Sequence, residues 1–179
     1  MKQLIETTFP CKTGNCIEIR KETIFWVDEY PSNNTIPKQI RGKSFTLLKT
    51  EDERLFTVNN PFQKEIYFLA IDKGIFTDED KFKKCDFALF DEKRFCFIES
   101  KNSKLNQRKE DRLYAYEQLK NTIRIFQNKI DFTNYQVEAQ VSFKASQIYP
   151  RQTSSNQDMV KEFDDELAVA LFENNDIEF

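Results

Sequence analysis

Short apolar runs set apart by turn-forming residues dominate the first sixty positions. Cys16 to Arg20, Thr23 to Val27, Phe45 to Leu48 and Leu55 to Val58 are rich in Phe, Ile, Val and Thr, which predicts four β-strands. Between the second and third, Pro31 to Gly42 reads as a polar loop. At Asn59-Asn60-Pro61 an N-cap residue precedes a proline at the first helical position, and Gly74 supplies a stop. Phe62 to Lys73 is therefore predicted to be helical, although its continuous apolar centre also fits a strand. A short strand is expected near Gly74-Ile75-Phe76.

Cys85 to Phe90 and Phe95 to Ile98 flank the charged turn Asp91-Glu92-Lys93-Arg94, a strand-turn-strand pattern. From about Lys109 to Lys129, the apolar positions Leu113, Tyr116, Leu119, Ile123, Phe126 and Ile130 recur every three or four residues, as on one face of a helix. Tyr114 and Tyr116 are both read as packing residues. Tyr135 to Lys144 alternates strictly and predicts a strand with one buried face. After a polar loop at Gln152 to Gln157, a last helix is expected to turn Val160, Phe163, Leu167, Ala170 and Leu171 inward. The divisions expected are a β-rich N-terminal element (1–60), an α/β core (61–150) and an acidic C-terminal helix (151–179).

Composition removes several chemistries. The 179 residues include no His, so neither a Ser-His or Cys-His nucleophile pair nor an imidazole ligand exists. Three glycines cannot build a Gly-rich phosphate loop. No apolar run approaches the roughly 18 residues that span a bilayer, and Met1 to Glu6 lacks a signal-peptide core, so a cytoplasmic protein without membrane contact is expected. In that compartment Cys11, Cys16, Cys85 and Cys96 are read as reduced thiols, in preference to a four-thiolate zinc site. The net charge of −3 is a sum of opposites. Lys81 to Lys129 holds 13 basic and 7 acidic residues, whereas Gln157 to Phe179 has eight acids against Lys161 alone. The basic middle suits a polyanion, and the acidic end suits a solvated face or a protein partner.

The hairpin supplies candidate chemistry. With the turn centred between Glu92 and Lys93, cross-strand partners sum to 185, so Asp86 lies opposite Glu99 and Lys101 projects on the same face. Two adjacent carboxylates repel unless a divalent cation lies between them or Lys101 neutralises them. Hard oxygen ligands of this kind suit Mg²⁺ or Mn²⁺.

Asp86 followed by Glu99-Ser100-Lys101 at the end of an apolar strand resembles the PD-(D/E)XK nuclease superfamily, in its Holliday-junction-resolvase and restriction-like branches. The resemblance spans about Phe62 to Lys144, with Cys85 where the family motif has proline. It implies a restriction-endonuclease-like α/β core, a mixed central sheet flanked by helices, to which this chain adds N-terminal β-strands and a C-terminal helix. It further implies that Asp86 and Glu99 hold Mg²⁺ (Mn²⁺ substituting), that the Ser100 carbonyl adds a ligand and that Lys101 assists the attacking water. Glu65 corresponds to a further acid on the helix before the first core strand, and Gln118 to a glutamine on the following helix. Lys104, Arg108, Lys109 and Arg112 lie just past the motif, where phosphates would pass. The activity implied is Mg²⁺-dependent hydrolysis of DNA in a restriction, repair or anti-phage setting. RNA satisfies the same residues, and symmetric double-strand cutting would call for a homodimer. The alternative is a nuclease-fold scaffold subunit recruited through the acidic C-terminal helix.

Overall fold

The computed structural model describes residues 1–12, 14–28, 43–45, 56–101, 103, 105–143 and 155–179. The expected loop over Pro31 to Gly42, most of the third predicted strand and Lys104 lie outside the described residues. The chain is mixed α/β. Its elements are α1 (Lys2–Thr8), β1 (Ile17–Arg20), β2 (Ile24–Asp28), β3 (Lys43–Phe45), β4 (Phe56–Asn59), β5 (Ile66–Ala70), β6 (Phe87–Phe90), β7 (Arg94–Lys101), α2 (Arg108–Gln127), β8 (Gln136–Phe143), α3 (Ser155–Leu167), β9 (Ala170–Glu173) and β10 (Asp176–Glu178). A six-stranded mixed sheet runs β1-β5-β6-β7-β8-β9, and a four-stranded sheet runs β10-β4-β2-β3.

The predicted helix over Phe62 to Lys73 is instead strand β5. Asn60 explains the start: its side chain accepts from Lys64 N and donates to Lys64 O (both 2.9 Å). That closes a tight turn, with Gln63 in the left-handed region (φ 49°). The run that follows is paired by β1 and by β6, and its side chains are buried on both faces apart from half-buried Tyr67, which is why it is apolar throughout rather than at helical spacing. The strand expected at Gly74-Ile75-Phe76 reduces to a single bridge, Asp72 to Phe76. At Gly74 a Cβ would lie 2.0 Å from the Ala70 carbonyl oxygen, so only glycine fits this turn.

The β6–β7 register is the expected one: Phe87 pairs with Ile98 and Phe90 with Phe95. Asp91 N donates to Arg94 O, and Asp91 Oδ1 accepts from the amides of Lys93 and Arg94. By alternation, Asp86, Ala88, Phe90, Phe95, Phe97, Glu99 and Lys101 share the face under α2. There Phe126 stacks on Phe9 (4.4 Å) and meets Phe97 edge-on (5.1 Å). The opposite face carries Phe87, which packs against Phe56 of the second sheet.

β8 pairs with β7 and β9, both parallel, and from Val137 onward it is buried throughout, not on one face. Its polar side is covered by the C-terminal turn. Gln140 Nε2 donates to the carbonyls of Asn174 and Asp176 (both 2.9 Å), and Asn175 Oδ1 accepts from Ser142 Oγ and Phe143 N. The last helix correspondingly stops at Leu167. Ala170 and Leu171 belong to β9, and Val160 is exposed. Leu113, expected inward, is exposed as well. Cys11 and Cys16, expected as free thiols, are joined by a disulfide (Cα–Cα 5.7 Å), while Cys85 and Cys96 are free and buried. Among the described residues no helix is long and apolar enough to cross a membrane.

Candidate functional site

The site is built at the end of the β6–β7 hairpin farthest from its turn. Asp86 enters β6, and Glu99 and Lys101 leave β7. Asp86 is 5% and Glu99 1% exposed. Asp86 Oδ2 accepts from Ser100 N (2.6 Å), which anchors the first carboxylate to the strand that carries the second. Lys101 Nζ lies 2.5 Å from Glu99 Oε1 and 2.5 Å from Gln118 Oε1. Gln118 in turn donates through Nε2 to the Lys84 carbonyl (2.7 Å). A buried acid thus carries its own counter-ion, held in place from α2.

Asp72, overlooked inside the apolar run, stands next to this cluster. The amides of Ile71 and Asp72 both donate to Asp86 O (3.0 Å each). Burial lifts the Asp72 carboxyl above its ordinary value, against the pull of Lys73 and Lys84. Lys84 Nζ lies 3.9 Å from Asp72 Oδ1 and donates to the carbonyls of Thr77 (2.7 Å) and Asp80 (3.1 Å), so it ties the 77–84 loop shut. Beneath Asp86, burial and the Glu99 charge push the Cys85 thiol well above its ordinary value, which makes it a packing residue and not a nucleophile.

Glu65 does not join the cluster. It precedes β5, whose register sets it beside the hairpin turn, about 20 Å from the Asp86 end by strand rise. It is bound there by Lys21 Nζ (2.9 Å) and the Tyr67 hydroxyl, which hold its carboxyl below the usual value. Nor are both arginines at the head of α2 open to phosphate. Arg112 is locked bidentate to Glu173 (2.9 Å twice), and Arg108 is buried over the Phe143 ring. Lys109 is exposed. Tyr116 is buried, and burial pushes its hydroxyl up to about 12. Tyr114, expected to pack, is 45% exposed. Lys83 and Lys101 lie over its ring, at 4.3 and 4.8 Å.

Among the described residues no three Cys, Asp or Glu side chains converge to hold a metal by themselves. No family model matches the chain, and neither the curated proteins nor the solved structures yield a match.

Proposed function

We propose that this protein is a Mg²⁺-dependent nuclease of the restriction-endonuclease-like kind, acting on DNA through Asp86, Glu99 and Lys101. The observation that carries the reading is the hairpin register: it sets two buried carboxylates side by side, with a lysine ammonium on one of them. The order of elements supports it. An antiparallel β5-β6-β7 meander is followed by α2 and a strand parallel to β7, the arrangement that a restriction-endonuclease-like core calls for.

The donor set fits a hard cation. Mg²⁺ is commonly held by one or two carboxylates and completes its shell with water and substrate phosphate, so a third acid is not required. Asp86, Glu99 and the Ser100 carbonyl would hold it, without Glu65. When bound, it would polarise the phosphoryl oxygen and acidify a bound water. Lys101 acts alongside. Its ammonium stabilises charge developing on the phosphate and orients the attacking water, and Gln118 fixes where that ammonium stands. Exposed Lys109 and half-buried Lys83 are cations available to neighbouring phosphates.

Purified protein with Mg²⁺ or Mn²⁺ is expected to nick plasmid DNA. Asp86→Ala, Glu99→Ala and Lys101→Ala should each lower the rate by roughly a hundredfold or more. Thermal melting serves as a control for folding, and an added divalent ion should raise the midpoint of the wild type and of Lys101→Ala, which keep both carboxylates, and not of Asp86→Ala or Glu99→Ala. Equal cleavage by all four proteins would overturn the reading.

A further inference from the structure

We propose that Tyr114 is a stacking platform for an unpaired base, and that the strand entering this site is single-stranded DNA. The inference rests on reading the Asp86–Glu99 pair as a nucleic-acid site. Aromatic rings on amphipathic helices ordinarily turn inward, as Tyr116 does two residues later. Tyr114 instead stands on the same side of α2 as Gln118, one turn before it. Its ring closes over Lys101 Nζ, which also meets Glu99 and Gln118. Beside it, Leu113 is 55% exposed. Two nearly inaccessible carboxylates and an open aromatic ring therefore stand on either side of one ammonium.

A phosphate drawn to Lys101 and the carboxylates brings its own nucleotide up to the Tyr114 ring, because the same ammonium touches both. In a duplex both faces of each base are covered by its neighbours, so no face is free for Tyr114. An unpaired nucleotide offers its face, and its backbone bends toward Lys101 without melting a pair. Stacking of this kind is tolerant of sequence, and it works together with cations that follow the phosphates.

Lys83 provides such a cation. It occupies the ring face at 4.3 Å while paired with Glu117 Oε2 at 2.6 Å. Both side chains of that pair are more than one third exposed, so the pair is weak. A base that displaces Lys83 from the ring frees its ammonium for the adjacent phosphate. Glu117, Glu110 and Asp111 on α2 oppose a polyanion there, which further favours binding driven by stacking over binding driven by net charge.

Fluorescence anisotropy of the full chain with a labelled oligonucleotide, in EDTA so that nothing is cleaved, tests the inference. The single strand is expected to bind roughly tenfold or more tightly than the same sequence as a duplex. Tyr114→Ala should lose roughly tenfold for the single strand, while Tyr114→Phe and Tyr114→Trp keep the affinity. The salt dependence should be unchanged in Tyr114→Ala and shallower in Lys83→Ala. Duplex bound as tightly as single strand, or Tyr114→Ala binding like the wild type, would overturn the inference. Cleavage is scored separately in Mg²⁺. Binding that depends on Tyr114 without any cleavage keeps this inference and sinks the nuclease reading. Cleavage of duplex that is indifferent to Tyr114→Ala does the reverse.

Discussion

Asp72 stands at the end of β5, 3.9 Å from Lys84 Nζ, with its carboxyl held above the ordinary value by burial. The folded chain therefore binds this proton more tightly than the unfolded chain. The stability this gives is complete below the unfolded carboxylate value of about 3.9 and is lost as pH rises through the higher folded value. Asp72→Asn has no proton to release. Its thermal midpoint is expected to gain on the wild type as pH is raised from about 4 toward 7. Melts across that range check this, and a mutant-minus-wild-type difference that stays constant or falls as pH rises contradicts it. Glu65 makes the complementary point. The resemblance implies a third acid at Glu65 on a helix, but the chain there leads into strand β5, which carries Glu65 to the wrong end of the sheet.

Two local devices hold the elements. α3 ends with Ala168 in the left-handed region (φ 53°), where Ala168 N donates to Asp164 O and Val169 N to Phe163 O, a helix stop that glycine prefers. Ala168→Gly removes the Cβ clash and is expected to stabilise the chain by about 1 kcal/mol. That would raise the midpoint by about 2–4 °C, and an unchanged or lower midpoint would refute the assignment. The Cys11–Cys16 disulfide closes a loop whose Lys12 N donates to Gly74 O (3.1 Å), and Cys16 O accepts from Ala70 N (2.8 Å). The clip therefore braces the turn after β5 that carries Asp72. For so short a ring the loop-entropy gain is roughly 2 kcal/mol. Adding a dithiol reductant should lower the midpoint accordingly, and Cys11→Ser should melt like the reduced wild type.

At the scale of the molecule, some of the opposed charges of the sequence meet one another. Lys120 pairs with Glu162 and Glu166, Arg124 with Glu166 (2.6 Å), and Arg112 with Glu173. Three acids of the C-terminal stretch are thus spent on α2 and not held out for a partner. Arg94 ties a buried acid of β8 to the C-terminal end. It donates to buried Glu138 Oε2 (2.6 Å) and to the Glu178 carbonyl, and its guanidinium lies over the Phe179 ring. Arg94→Met should destabilise the fold by about 3 kcal/mol or more, because Glu138 is left buried without its counter-charge. Adding Glu138→Gln should recover part of that loss in denaturant titrations. A single variant as stable as the wild type would show that the pair contributes nothing.

The hairpin and its register could be read directly from the chain, because a two-residue turn and side-chain alternation are local rules and Asp91 enforces both. The stripe Tyr116, Leu119, Ile123, Phe126 on α2 was equally legible, since helical spacing needs no knowledge of the partner. Other features depended on residues far away in sequence. Whether Phe62 to Lys73 coils or extends is decided by β1 and β6 on either side of it. The polar side of β8 is buried because a turn more than thirty residues later supplies acceptors for Gln140 and a partner for Ser142. Leu113 obeys the period of the buried helix face and yet lies open, whereas Tyr114, two residues from Tyr116, stands off that face. The sequence alone therefore determined which acids and which lysine meet. The tertiary structure decided which further residues surround them, because strand pairing and helix length, not spacing, set those neighbours.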